Sequence, residues 1–216
     1  MNDYNIKKII KLQSYIRRYI VILKLKKDEN IIQIEHLKLF LNNFINYTSS
    51  IDRINTYIKD NNKKIYKKIR NPNFPSEISE NLVKYVFYKK YNIYPKWNIK
   101  SGDLVIDLIH FIKKIEIKAF ISTGPSSFGP SESWDYIYFV DAREYKNKRF
   151  KIYEIKLSND DTRWKNIFVN KTTTYYDQCI QGRRPRIKFF DLKKQLDKID
   201  TNICNLIFDD SLDNLF

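Results

Sequence analysis

Cysteine is scarce: the 216-residue chain holds two, Cys179 and Cys204, too few for a disulfide framework and too far apart for the C-x-x-C pair of a zinc site. Both are expected to be buried or inert thiols. Histidine is as rare, and His36 and His110 lack metal-ligand spacing. His110 lies in an apolar run and reads as a partly buried residue rather than a general base, which disfavours histidine-based metal chemistry. No apolar run approaches the length of a membrane span, and Lys7, Lys8 and Lys11 precede no apolar core with a small-residue cleavage site. The expectation is therefore no membrane and an intracellular location: cytoplasm, nucleus, or a virus-encoded protein acting within a host cell. Acid is short as well, with 25 Asp and Glu against 40 Lys and Arg, a formal charge of +15 and a pI near 9.6. Such a field favours a polyanion, because phosphate contacts release condensed counterions, although ribosomal and membrane-surface proteins share it. The excess of Lys, Ile, Asn and Tyr also fits an AT-rich genome.

What is present suffices for a globular chain: 43% hydrophobic and 30% charged residues lie outside the disordered range. From Tyr4 to about Lys27 apolar residues recur at helical spacing opposite Lys and Arg, a basic amphipathic helix. Further helices are expected over about Ile34 to Tyr47 and Ile51 to Ile69, separated by the cap-like Thr48-Ser49-Ser50 and closed by the turn-rich Asn71-Pro72-Asn73. Residues 1–70 thus read as a helical basic module for dimerisation or DNA contact, and residues 71–216 as a second domain. Pro75-Ser76-Glu77 starts a helix whose apolar face is Ile78, Leu82, Val83, Val86 and Phe87. Strands are expected at Leu104 to Ile112, Ile115 to Ile121, Tyr136 to Val140 and Phe150 to Leu157, and a last helix at about Leu192 to Leu206. The class is mixed α/β without an internal repeat.

One segment carries chemistry. Ser101-Gly102-Asp103-Leu104-Val105-Ile106-Asp107 is followed by Ile115-Glu116-Ile117-Lys118. Residues two apart on a strand face one side, so Glu116 and Lys118 project together while Ile115 and Ile117 enter the core. If the two strands form a hairpin, Asp103 or Asp107 lies against Glu116, giving two carboxylates and an ammonium at one point. Hard carboxylate oxygens of this kind suit one or two Mg²⁺ ions, with Mn²⁺ as a substitute, for phosphodiester hydrolysis. Lys118 would orient the attacking water and stabilise charge on the phosphate. A second tripeptide, Glu154-Ile155-Lys156, lacks a preceding Gly-Asp element and reads as a solvated strand face with opposite charges side by side.

These residues resemble the PD-(D/E)xK nuclease superfamily, and in particular its type II restriction endonucleases, over roughly residues 74 to 190. Beyond the Gly-Asp and Glu-x-Lys elements, the resemblance extends through Lys118-Ala119-Phe120, Ser122 to Glu132, Trp134-Asp135 and Gln181-Gly182-Arg183-Arg184-Pro185-Arg186. It implies a mixed central sheet flanked by helices. It further implies a Mg²⁺-dependent, sequence-specific double-stranded DNA endonuclease with Asp103, Glu116 and Lys118 at its centre. By the same resemblance, Phe74-Pro75-Ser76 with Ser79-Glu80 corresponds to the helix before the catalytic strands, making Glu80 a further acidic ligand. The chain departs from the pattern in having Gly102 where the family name expects Pro. Asp107 competes for the first acidic position; the resemblance and the pairing of acids in metal sites favour Asp103.

DNA contact is expected from Ser122, Ser126 and Ser127 on the loop after the catalytic strand, and from Arg183, Arg184 and Arg186, by base reading or phosphate clamping. Lys171 with Thr172, Thr173 and Thr174 leads into the same surface. Trp97, Trp134 and Trp164 read as core anchors rather than base-stacking platforms. A homodimer would match a palindromic site and cut one strand per protomer. Leu12-Gln13-Ser14-Tyr15-Ile16-Arg17-Arg18 resembles part of an IQ helix, which opens a non-catalytic alternative: a basic DNA-binding or calmodulin-type partner-binding protein. A repair or recombination nuclease on the same core is the other.

Overall fold

The computed structural model describes residues 34–60, 68–98, 102–108 and 111–215. The basic helix expected before Lys27, the Leu12 to Arg18 segment and His110 lie outside them. Two compact units divide between Phe40 and Leu41. Of the first, the helical residues 34–40 are described; the second carries everything that follows.

Residues 34–60 are helical (α1), so the break expected at Thr48-Ser49-Ser50 is absent. Thr48 is buried, and its Oγ1 donates back to the Phe44 and Ile45 carbonyls at 3.0 and 3.1 Å. Ser50 does the same to Asn46 at 2.9 Å. These hydroxyls are satisfied within the preceding turn and do not cap a new one. From Leu41 onward the stripe Leu41, Phe44, Thr48 and Ile51 is buried, with Phe44 edge-on to Phe74 at 5.5 Å.

α2 (Ser76–Tyr91) starts after Pro75 and buries Ile78, Leu82, Val83, Val86 and Phe87, the face its spacing predicts. It ends at Asn92, which takes the left-handed conformation that closes a helix. The strands follow: β1 (Lys96–Trp97), β2 (Leu104–Leu108), β3 (Phe111–Phe120), β4 (Pro125–Ser127), β5 (Tyr136–Asp141) and β6 (Arg149–Ile155). After them come α3 (Tyr175–Ile180), β7 (Arg186–Lys188), α4 (Phe189–Ile199) and β8 (Cys204–Ser211). The main sheet runs β1-β2-β3-β5-β6-β8. It is mixed, because β3 and β5 are parallel while the other neighbours are antiparallel. β4 and β7 form a separate antiparallel ribbon. The fold is thus α/β with a mixed central sheet and helices, as the sequence implies.

The final helix is shorter than its spacing suggests. Leu192, Leu196 and Ile203 are buried at near-helical intervals, yet Asp200 ends the helix by accepting the Asn202 backbone N–H at 2.8 Å, and the chain returns as β8. The core between sheet and helices gathers Phe128, Trp134, Phe139, Trp164, Tyr175, Phe189 and Leu192. Trp134 and Trp164 are the anchors expected. Trp97 is not: it stands 47% exposed on the short edge strand β1, with the Lys84 ammonium 4.5 Å above its ring. Cys204 is buried and its thiol is pushed up to about 12 by that burial; Cys179 is half-buried, and neither forms a disulfide.

Candidate active site

β2 and β3 form the hairpin on which the carboxylate pairing depends, with Leu104 opposite Ile115 and Asp107 opposite Ile112. The register carries Asp103 to a position facing Glu116. Asp103 is fastened there three times. Its N–H donates to Ile115 O at 2.9 Å, its carbonyl accepts from Asn98 N–H at 3.2 Å, and its Oδ2 accepts from Ile117 N–H at 2.6 Å. Asp107 lies about 13 Å farther along the ladder at strand rise; its side chain is 59% exposed and pairs with Lys96 at 3.5 Å. The structure therefore brings Asp103, and not Asp107, to Glu116.

Gly102 explains the departure from Pro. Its φ is +77°, a region closed to proline, and a Cβ there would meet the carbonyl oxygens of Ile115 and Ser133 at 3.2 and 3.3 Å. This turn is what delivers Asp103 onto β3.

Glu116 is only 2% exposed despite its charge, because β3 is covered on one face by α2 and flanked by β2 and β5. The Lys118 ammonium contacts Glu116 Oε1 directly. Burial raises the Glu116 carboxyl, Lys118 and then Arg184 oppose the rise, and Asp103 adds to it. Asp103 is raised by burial too, against the Ile117 N–H and Lys118. Glu80, on α2, is pushed up to about 7, first by burial and then by the charges of Asp103, Glu77 and Glu116, with Lys118 opposing. Glu80, Asp103, Glu116 and Lys118 thus form one electrostatic cluster built from α2, the turn before β2, and β3.

Among the described residues no three His, Cys, Asp or Glu side chains already converge as a cation site; Lys118 occupies the position beside Glu116 where a cation would compete. The donor set nonetheless fits a hard divalent ion. Partly desolvated, mutually repelling carboxylates are what such an ion relieves, and Mg²⁺ needs only one or two of them beside water and phosphate oxygens.

The residues expected at DNA are partly gathered. Ser126 faces Ile187 and Ser127 faces Arg186 across the β4–β7 ribbon, while Arg183 and Arg184 sit in the exposed turn leading into it. Ser122 is exposed and its Oγ accepts from Gly124 N–H at 3.3 Å. Lys171 is exposed, but the threonines after it are occupied: Thr172 bonds to Asn170, and Thr174 forms a reciprocal cap with Asp177 at the start of α3. In the second Glu-x-Lys, Lys156 is exposed and pairs with Glu154 at 3.4 Å. Glu154 is not solvated as expected, since it is half-buried and accepts from the Tyr138 hydroxyl.

One residue was missed. Glu132 contacts Arg184 through Oε1, lies 3.8 Å from Lys118 through the same atom, and is 15% exposed. The resembling string included it, but nothing local marks a partner in a loop so distant in sequence.

Comparisons with known proteins place the chain in a family. Over 67 residues the chain is 45% identical to the type II restriction enzyme Bsp6I of Bacillus sp. (strain RFL6), a stretch covering 30% of this chain and 37% of that enzyme. No solved structure matches, and no helix among the described residues is long and apolar enough to cross a membrane. The profile of the Bsp6I restriction endonuclease family runs from residue 23 to residue 198, across α2, the Asp103 turn, β3 and the arginine loop, and the chain belongs to that family.

Proposed function

We propose that this chain is an intracellular, Mg²⁺-dependent, sequence-specific endonuclease of double-stranded DNA, built on a PD-(D/E)xK core. The observation that carries the reading is the hairpin register that sets Asp103 against Glu116 with Lys118 on the same strand. Asp103 and Glu116 would hold the cation, with Glu80 reaching it from α2. When bound, Mg²⁺ would offset the negative charge that builds on the phosphate oxygens during in-line displacement. Lys118 orients the attacking water and donates to a phosphate oxygen, and its link to Glu116 fixes its direction. Ser126, Ser127 and Arg186 on the ribbon, with Ser122, Lys171, Arg183 and Arg184 nearby in sequence, supply the DNA contacts. A homodimer suits a palindromic target, and residues 1–70 are assigned to dimerisation or DNA contact.

The test is cleavage of unmethylated plasmid by purified protein in Mg²⁺, Mn²⁺ or EDTA, beside Glu116→Ala and Lys118→Ala. Discrete metal-dependent fragments, reduced by at least about 100-fold in both variants, support the reading. Intact DNA that is nonetheless bound under every condition overturns it in favour of a basic binding protein.

A further inference from the structure

Lys118 touches a second carboxylate besides Glu116. Glu132 stands in the segment between β4 and β5, which is pinned to β3: Asp135 N–H donates to Lys114 O at 2.9 Å, and Lys114 Nζ to Ser133 Oγ at 3.4 Å. Trp134 N–H donates to Asn159 Oδ1 at 3.1 Å. Glu132 is therefore held by its neighbours and does not hang on a loose loop. Its Oε1 receives Arg184 Nη2 and lies 3.8 Å from Lys118 Nζ. Its Oε2 is buried and has no hydrogen-bond partner among the described residues. Arg184 is tied to the same segment again, Nε donating to Gly129 O at 3.2 Å. A guanidinium has five N–H donors in a rigid fork, so these two ties fix its plane and leave donors for an oxyanion.

An ion pair that served only to fasten the arginine loop would not need a carboxylate with one buried, unsatisfied oxygen, nor one shared with Lys118. Buried polar groups without partners are rare and costly, and they concentrate where function requires them. Resting on the endonuclease reading above, we propose that Glu132 is a positioning residue of the cleavage centre: it draws Arg184 to Lys118, so that guanidinium and ammonium together receive the scissile phosphate. Arg184 is then assigned to the reacting phosphate and not to base reading, which separates it from Arg183 and Arg186. Its charge is already felt at Glu116.

The experiment compares wild type with Glu132→Gln, Arg184→Ala, Arg184→Lys and the Glu132→Gln/Arg184→Ala double variant. It measures kcat and KM with Mg²⁺, duplex affinity in EDTA, and Tm. Glu132→Gln is expected to lower kcat by about tenfold or more through misplacement of Arg184 and Lys118. Its DNA affinity in EDTA should stay equal or become tighter, since a negative charge is removed. Its Tm should stay within about 2 °C. Arg184→Lys should recover part of what Arg184→Ala loses, and the double variant should be no slower than the slower single. Wild-type cleavage by Glu132→Gln, losses that multiply in the double variant, or a joint collapse of kcat, affinity and Tm would each overturn the proposal. If the wild-type chain cuts no DNA, the endonuclease reading fails separately. The duplex affinities then decide whether Glu132 and Arg184 act together on phosphate: a Glu132→Gln effect that disappears when Arg184 is also removed retains it, and no effect, or the same effect with and without Arg184, excludes it.

Discussion

At Glu80, burial and the charges of Asp103, Glu77 and Glu116 raise the carboxyl from an ordinary 4.5 to about 7. A carboxyl raised in the folded state binds its proton more tightly there than in the unfolded chain. The metal-free protein therefore loses stability as pH rises from about 4.5 through about 7. The full shift corresponds to roughly 3 kcal/mol, and partial exposure to solvent reduces this to about 1–2 kcal/mol. Glu80→Gln removes the charge and keeps the shape. In EDTA, urea unfolding should find the variant about 1–2 kcal/mol more stable than wild type at pH 8.5 and equal to it at pH 4. Adding Mg²⁺ at pH 8.5 should stabilise wild type more than the variant, because only wild type has the repelling carboxylate to offer. Equal stabilisation of both would remove Glu80 from the proposed ligand set and reduce that proposal to Asp103 and Glu116.

Thr174 is an example of how an element assigns a residue its work. Its hydroxyl accepts the Asp177 backbone N–H at 3.1 Å, and Asp177 accepts the Thr174 N–H at 2.9 Å, so the pair opens α3 just ahead of the arginine loop. Thr174→Ala should cost about 1 kcal/mol in urea unfolding and leave duplex affinity within about twofold, the ordinary scatter for a residue off the interface. Weaker binding without loss of stability would put Thr174 on DNA instead. From the sequence it reads as part of the stretch leading into the DNA surface, and only the fold shows the capping role it has at α3. The same limit governs the other elements. β3 and β6 are legible because two-residue alternation survives in them, β5 because it is a short continuous apolar run, buried from Ile137 to Asp141, and α2 because Pro75-Ser76 opens an apolar stripe. β4 and β7 have three residues each, too few for a period. β8 is hidden because helical spacing runs on past Ile199 into Ile203. Asp103, Glu116 and Lys118 are legible because their partners are close along the chain; Glu132 is not, because Arg184 reaches it only through the fold.

The charge of +15 belongs to the whole molecule and is what remains after every acid is set against a base, but not every Lys and Arg is free to carry it. Lys146 pairs with Asp52, Arg149 and Lys151 share Asp209, Arg143 pairs with Asp141, and Lys193 with Asp197. Such pairs hold surface geometry and contribute little to a field that steers DNA. The exposed Arg183, Arg186 and Lys188 at the ribbon are placed to contribute more. Duplex affinity in EDTA, measured between about 50 and 200 mM salt, separates these accounts, since each neutralised phosphate adds about 0.9 to the slope of log affinity against log salt. A ribbon surface engaging about 6–10 phosphates loses about 10³- to 10⁵-fold across that range. Arg183→Ala and Arg186→Ala should each lower the slope by about one for every copy of the chain on the duplex. A homodimer carries each substitution twice, so its slope should fall by about two, and a monomer's by about one. An unchanged slope would take both arginines off the phosphates and leave the excess of lysine and arginine as a matter of composition.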